Sequence, residues 1–83
     1  MKLNDLLSVL KQDENIYIVL WSTERDKFLF TGKVKDFVEI STKSLNYRRC
    51  LDYTVLEISR NKIYCCINID LRERTENETV VSI

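Results

Sequence analysis

Residues 53–69, YTVLEISRNKIYCCINI, contain two runs rich in β-branched and aromatic residues on either side of a short polar break. The runs are 53–59 and 62–69, and Arg60-Asn61 lies between them. Asn tolerates the left-handed backbone conformation that a tight two-residue turn requires. The pattern therefore predicts a β-hairpin near the C-terminal end of the chain, turning at Arg60-Asn61.

A second hairpin is predicted upstream of the first. Residues 16–21, IYIVLW, and residues 27–34, KFLFTGKV, are separated by the polar segment 22–26. This composition is typical of strands. Gly32, the only glycine of the chain, is near the end of the second run and indicates a bulge, a bend or a close backbone approach.

Helical spacing occurs in two places. Leu3, Leu6, Leu7 and Leu10 follow the spacing of one helix face, and residues 34–40 fit one or two further helical turns. The polar segment 41–52 is either irregular or contains another short helix. We therefore expect an α+β fold in the order α-β-β-α-β-β, with the N-terminal helix packed on a mainly antiparallel four-stranded sheet. Residues 1–70 would form one compact domain, and 71–83 a charged tail that is either disordered or adds a fifth edge strand.

Side-chain alternation sorts the predicted strands into two faces. One set is apolar and suits the leucine stripe of the first helix: residues 16, 18, 20, 56, 58, 63, 65, 67 and 69. The opposite set is rich in Tyr and Trp, which are enriched at interfaces. Either the middle helix and the tail cover this second face, or it binds a partner, a second copy or a small ligand. Its members are Tyr17, Val19, Trp21, Tyr53, Val55, Glu57, Tyr64, Cys66 and Asn68.

Composition excludes several classes of function. The 83 residues include 13 basic and 13 acidic side chains, so the basic excess of most nucleic-acid-binding domains is absent. There is no histidine and only one glycine, which removes the common catalytic triads, the usual zinc ligands and the glycine-rich phosphate loops. We expect a protein that is not an enzyme and has no metal or cofactor.

The expected location is the cytoplasm. The N-terminus lacks the apolar stretch of a signal peptide, and no segment approaches the ~20 apolar residues of a membrane span. The odd number of cysteines, Cys50, Cys65 and Cys66, fits a reducing compartment. We interpret these cysteines as small apolar residues in or near the core.

The most distinctive local motif is Tyr47-Arg48-Arg49. Two guanidinium groups beside an aromatic ring suit carboxylate, phosphate or stacking partners, and Arg and Tyr are frequent interface hot spots. The alternative is a solvated loop that Tyr47 anchors to the core. The candidate partner-binding residues are therefore Tyr47, Arg48, Arg49, Trp21, Tyr53 and Tyr64.

The chain resembles small proteins encoded by phages and prophages of low-GC Gram-positive bacteria. The resemblance covers roughly residues 1–70 and rests on the start MKLNDLL, on TGKVKD at 31–36 and on the closing INI at 67–69. Neither the Tyr47-Arg48-Arg49 motif nor the tail after Asp70 belongs to that pattern. The resemblance implies an α+β accessory protein in a bacterial host, without catalytic residues. Small phage proteins of this kind often bind and block host machinery, including CRISPR and other defence systems.

Three functional hypotheses follow. The first is a non-enzymatic phage-type protein that inhibits or modulates a host protein, with a CRISPR-type defence nuclease as one candidate target. The second is a homo-oligomer that sequesters a charged nucleotide signal, in which aromatic rings stack on the base and arginines hold the phosphate. The third is a structural or assembly protein, such as a homodimer, that uses the aromatic sheet face for self-association.

Overall fold

The computed structural model describes residues 1–10 and 15–73. It has the expected α+β architecture, with an N-terminal helix and a four-stranded sheet. The polar segment 41–52, for which two interpretations were open, contains a short helix. In chain order the elements are α1 (Leu3–Leu10), β1 (Tyr17–Ser22), β2 (Lys27–Lys33), α2 (Val34–Lys43), α3 (Leu45–Cys50), β3 (Thr54–Asn61) and β4 (Cys66–Arg72).

The strands are arranged in the order β2-β1-β4-β3. Both hairpins are antiparallel, and the two central strands β1 and β4 pair in parallel. The parallel pair arises because the chain leaves β2 at one edge, passes through α2 and α3, and returns as β3 at the other edge. The sheet is therefore mainly antiparallel, as expected, with one parallel pair at its centre.

The core lies between the helices and one face of the sheet. Leu3 and Leu7 of α1 are fully buried, as the leucine spacing predicts, and Phe37 is the largest fully buried side chain of α2. They pack against Ile18, Leu20, Ile69 and Leu71 of the two central strands. Burial of such side chains is the main stabilising contribution available to a domain of this size.

All three described helices contribute to this one core, which leaves the opposite sheet face free of helices. The possibility that the middle helix covers the aromatic face is therefore wrong. The other proposed cover, the tail, falls in residues 74–83, which lie outside the described residues, as does the possible fifth strand. β4 runs to Arg72 with Leu71 fully buried, so the folded unit extends beyond residue 70.

The predicted C-terminal hairpin is confirmed, but its turn lies further along the chain. Asn61 still pairs with Cys66, and residues 62–65 form the turn. The Asn61 side-chain Oδ1 accepts hydrogen bonds from the backbone N–H groups of Ile63 (3.0 Å) and Tyr64 (3.2 Å). Asn61 therefore precedes the turn and stabilises its start, instead of lying at its centre. Cys65 adopts a left-handed conformation with φ 51°. The assignment of Ile63 and Cys65 to the apolar sheet face is therefore wrong.

A register shift in β3 overturns a second assignment. Val55 pairs with Leu71 and Glu57 with Asp70, so Leu56 is the extra residue of a bulge. Because a one-residue shift reverses the face of every preceding side chain, Val55 packs against the core instead of lying on the aromatic face. Tyr53, which precedes the strand, also packs against the core.

Candidate binding surfaces

Five of the six candidate residues line one or the other of two cavities. Trp21 and Tyr64 line a broad concavity on the sheet face opposite the helices. Tyr47, Arg49 and Tyr53 line a smaller cleft beside α3, on the helix side. Arg48 lines neither of these two cavities. The structure therefore does not unite the sequence candidates into one site.

We call the sheet face opposite the helices the open face. Strand pairing arranges its side chains in three rows across the sheet, in the order β2, β1, β4 and β3. The half formed by β2 and β1 is largely apolar, and the half formed by β4 and β3 is largely polar. The rows are Phe28-Trp21-Asp70-Glu57, Thr31-Val19-Asn68-Ser59 and Lys33-Tyr17-Cys66-Asn61.

An aromatic pair dominates one corner of the open face. The Trp21 and Phe28 rings meet edge to face, with their centroids 4.7 Å apart and their planes at 77°. Phe28 nevertheless leaves 65% of its surface exposed. The sequence interpretation did not identify Phe28, because its position opposite Trp21 depends on a register shift in the β1–β2 pairing.

The open face is concave and encloses about 670 Å³. Val19, Trp21 and Phe28 supply its apolar wall, while Asn68 and Asp70 offer side-chain hydrogen-bonding groups. Tyr64 reaches this concavity from the β3–β4 turn, although 76% of its surface is exposed. Its neighbour Ile63 is 85% exposed. The turn therefore extends the apolar surface beyond the edge of the sheet.

Charges on the open face are sparse and of both signs. Asp70 and Glu57 are paired neighbours in the row that begins with Phe28. Lys33 lies in the opposite corner, and Arg72 follows Asp70 by two positions on the same side of β4. The Arg72 Nε atom is buried and has no hydrogen-bond partner among the described residues. The face as a whole is thus close to neutral.

We call the second cavity the polar cleft. It encloses about 300 Å³ between the β1–β2 turn, the start of β2 and α3. Of the described side chains that line it, three are cationic and one is anionic. Its lining residues are Arg25, Lys27, Phe28, Leu29, Asn46, Tyr47, Arg49, Cys50, Tyr53 and Glu73.

The Glu73 carboxylate forms the floor of the polar cleft, and its side chain is only 10% exposed. It accepts a hydrogen bond from the Ser22 hydroxyl at 2.6 Å and pairs with Arg25 Nε at 2.8 Å. The Ser22 oxygen in turn accepts the Arg25 backbone N–H at 3.2 Å. This network satisfies the buried carboxylate and fixes the β1–β2 turn against the end of β4.

Two titratable groups beside Glu73 are shifted toward their neutral forms. Burial raises the pKa of the Cys50 thiol to about 11, and the Glu73 charge adds to the effect. Burial also raises the pKa of Tyr53 to about 12, with further contributions from the Cys50 and Glu73 charges and from its hydrogen bond to Glu73. A thiol with so high a pKa is protonated at neutral pH and is a poor nucleophile.

Tyr47 and Arg48 have structural contacts. The Tyr47 ring meets Phe30 and Phe37 edge to face, with centroid separations of 6.0 and 6.1 Å, and so anchors α3 to the core. Arg48 donates hydrogen bonds to the backbone carbonyls of Ser41 (3.3 Å) and Thr42 (2.9 Å) at the end of α2. Arg49 has neither kind of contact with any residue of 1–10 and 15–73, and it is exposed at the rim of the polar cleft.

Other kinds of site find no support in residues 1–10 and 15–73. This part of the chain contains no group of three or more Cys, Asp and Glu side chains placed to hold a metal ion. No described helix has the length and apolar content needed to cross a membrane. In the comparisons with known proteins, no family model, curated protein or solved structure matches the chain.

Proposed function

We propose that this protein is a non-enzymatic binding protein that docks a partner protein on its open face. The observation that carries the proposal is that Trp21, Phe28 and Tyr64 line one concave face that no described helix covers, since every described helix packs on the other side of the sheet. Aromatic side chains supply large contact area at small entropic cost, which makes them frequent anchors of protein interfaces.

The dimensions of the open face favour a partner that also contacts the β3–β4 turn. Four strands spaced about 4.8 Å apart, with about 3.3 Å per residue, present roughly 400 Å² of sheet face. A standard interface buries about 800 Å² on each partner. Ile63 and Tyr64 supply additional apolar area next to the sheet, so a partner that contacts both regions approaches the standard size.

The chemistry of the open face defines the partner surface. An apolar or aromatic anchor would enter the concavity against Val19, Trp21 and Phe28. Hydrogen-bond donors beside that anchor would meet the oxygen atoms of Asn68 and Asp70. Since the face is close to neutral, we expect binding that depends weakly on salt, unlike binding to a nucleic-acid backbone.

We further propose that the partner is a host protein and that docking inhibits or modulates it. This step rests on the resemblance to phage-encoded accessory proteins. A defence nuclease of the CRISPR type is one target class within this proposal.

The test is an affinity pull-down from bacterial lysate with two matched variants. Tyr64→Ser removes an exposed ring from the open face, and Val9→Ser removes an exposed apolar side chain from α1 on the helix side. We expect one host protein to be retained by the wild type and by Val9→Ser. Its affinity for Tyr64→Ser should fall at least about thirty-fold, as for an interface hot spot.

Two outcomes would contradict the proposal. Equal retention by Tyr64→Ser would remove the open face from the interaction. Recovery of self-associated protein alone, with light scattering showing an oligomer that Tyr64→Ser disrupts, would instead establish the structural and assembly function.

A further inference from the structure

We propose that the polar cleft binds a small phosphate ester no larger than a mononucleotide. This site borders the open face at Phe28, which lines both cavities, but it does not rest on the function proposed above. Three cationic side chains from two parts of the chain converge on it: Arg25 and Lys27 at the β1–β2 turn and the start of β2, and Arg49 on α3.

The charge balance of the polar cleft favours an anion. Among the described residues that line it, Glu73 supplies the one carboxylate, and Arg25 already neutralises that group through Nε at 2.8 Å. Lys27 and Arg49 form no ion pair with any other described residue. Two positive charges are therefore available at the rim, and the terminal nitrogens of Arg25 add donors beside them.

The scaffold beneath these cations is rigid. The Ser22 and Glu73 hydrogen bonds hold Arg25 in place. The edge-to-face contacts of Tyr47 with Phe30 and Phe37 fix α3, which carries Arg49. Arg25 is the cation that these contacts hold directly, so its donors lose less conformational entropy when a ligand binds.

Phosphate fits the polar cleft better than a carboxylate does. Its three free oxygens can accept from several donors at once, and guanidinium groups bind such oxygens in a bidentate manner. The volume of about 300 Å³ is at the lower end of the range for small-ligand pockets. Phe28 and Tyr47 add apolar walls for the group that carries the phosphate.

The test measures binding of adenosine 5′-monophosphate to the full chain by titration calorimetry, with adenosine and inorganic phosphate as separate probes. Lys27→Ala and Arg49→Ala each remove one cation from the polar cleft. The matched controls are Lys35→Ala on α2 and Arg60→Ala on β3, which remove exposed cations of the same kind elsewhere. Circular dichroism checks that all four variants are folded.

We expect the monophosphate to bind the wild type and both control variants equally. Each cleft variant should weaken binding at least about ten-fold, and adenosine should not bind. The proposal is overturned if the monophosphate does not bind at millimolar concentration, if adenosine binds as well, or if the controls weaken binding as much as the cleft variants. Because Tyr64 lines the open face and not the polar cleft, Tyr64→Ser should leave this affinity unchanged, so the two proposals fail independently.

Discussion

The Trp21 and Phe28 rings lie 4.7 Å apart because a register shift after Leu20 brings Phe28 directly opposite Trp21 across the β1–β2 pair. The shift turns what would otherwise be two separate side chains into a single aromatic surface at the corner of the open face. Both rings remain accessible from solvent, and the concavity beside them is large enough to receive a side chain from a partner.

Removal of Phe28 should separate binding from stability. Most of the Phe28 side chain is already exposed, so Phe28→Ala removes little buried surface. The main loss is its contact with Trp21, which contributes about 0.5–1.5 kcal/mol. We therefore expect a small decrease in the free energy of unfolding, measured in urea, together with a large loss of partner affinity. A variant that unfolds at neutral pH without urea would show that the aromatic pair is part of the core.

Phe37 should behave in the opposite way. Its ring is fully buried between α2 and the sheet and contacts Phe30 and Tyr47. Phe37→Ala should lower the free energy of unfolding by about 3–5 kcal/mol, a large fraction of the total for a domain of this size. The matched control is Leu45→Ala at an exposed position of α3, which should change stability by less than about 0.5 kcal/mol. Similar values for the two variants in urea would contradict the described core.

The neighbouring arginines Arg48 and Arg49 should differ in their effect on stability. Arg48→Ala removes two hydrogen bonds to the carbonyl groups that end α2 and should cost about 1 kcal/mol. Arg49→Ala removes no described contact and should cost less than about 0.5 kcal/mol. Urea unfolding of the two variants is the measurement. If Arg49→Ala is the more destabilising, the contacts assigned to α3 are wrong.

Stability should fall in alkaline solution. The Cys50 thiol has a pKa of about 11 in the folded protein and 9.0 as its ordinary value. The unfolded chain therefore loses this proton first, so the stabilisation is complete below pH 9 and is lost as the pH rises toward 11. Tyr53 acts in the same direction between pH 10 and about 12.

Urea unfolding between pH 7 and pH 11 in the presence of a reducing agent tests this expectation. Cys50→Ala should be less stable at neutral pH and should lose less stability than the wild type between pH 9 and 11. Parallel curves for the two proteins would show that Cys50 titrates normally in the folded state.

Local patterns were sufficient to predict much of the fold. The spacing of Leu3 and Leu7 predicts the buried face of α1, and the alternation of Ile18 and Leu20 predicts the core face of β1. Both depend on the periodicity of a single element, which tertiary contacts leave intact. Ile67 and Ile69 of β4 were also placed correctly, because the strand is regular from Cys66, whereas the buried Leu71 was assigned to the tail.

The register of the strands and their long-range pairing could not be predicted from local sequence patterns. The bulge at Leu56 reverses the predicted face of Val55, and nothing in the local composition indicates a bulge there. The parallel pairing of β1 with β4 depends on the path of the chain through α2 and α3. The turn at 62–65 had a readable signal, since an Asn side chain often accepts hydrogen bonds from the residues that follow it.

Local sequence patterns also did not predict which residues come together in the two candidate sites. Trp21 and Tyr64 share a concavity because the two hairpins lie side by side through β1 and β4, whereas Tyr53 was separated from them by the bulge in β3. Glu73 was interpreted as part of a charged tail, yet it is a buried carboxylate held by Ser22, 51 positions earlier in the chain. Interactions over such separations leave no local sequence signal.

The central claim, docking on the open face, is tested most directly by site-specific photo-crosslinking in lysate. A photoreactive amino acid replaces Tyr64 in one variant and Val9 in another, and the adducts are identified by mass spectrometry. The account predicts a crosslink to one host protein from position 64 and none to that protein from position 9. A crosslink to the same protein from position 9 alone would contradict it and would place the docking surface on the helix side.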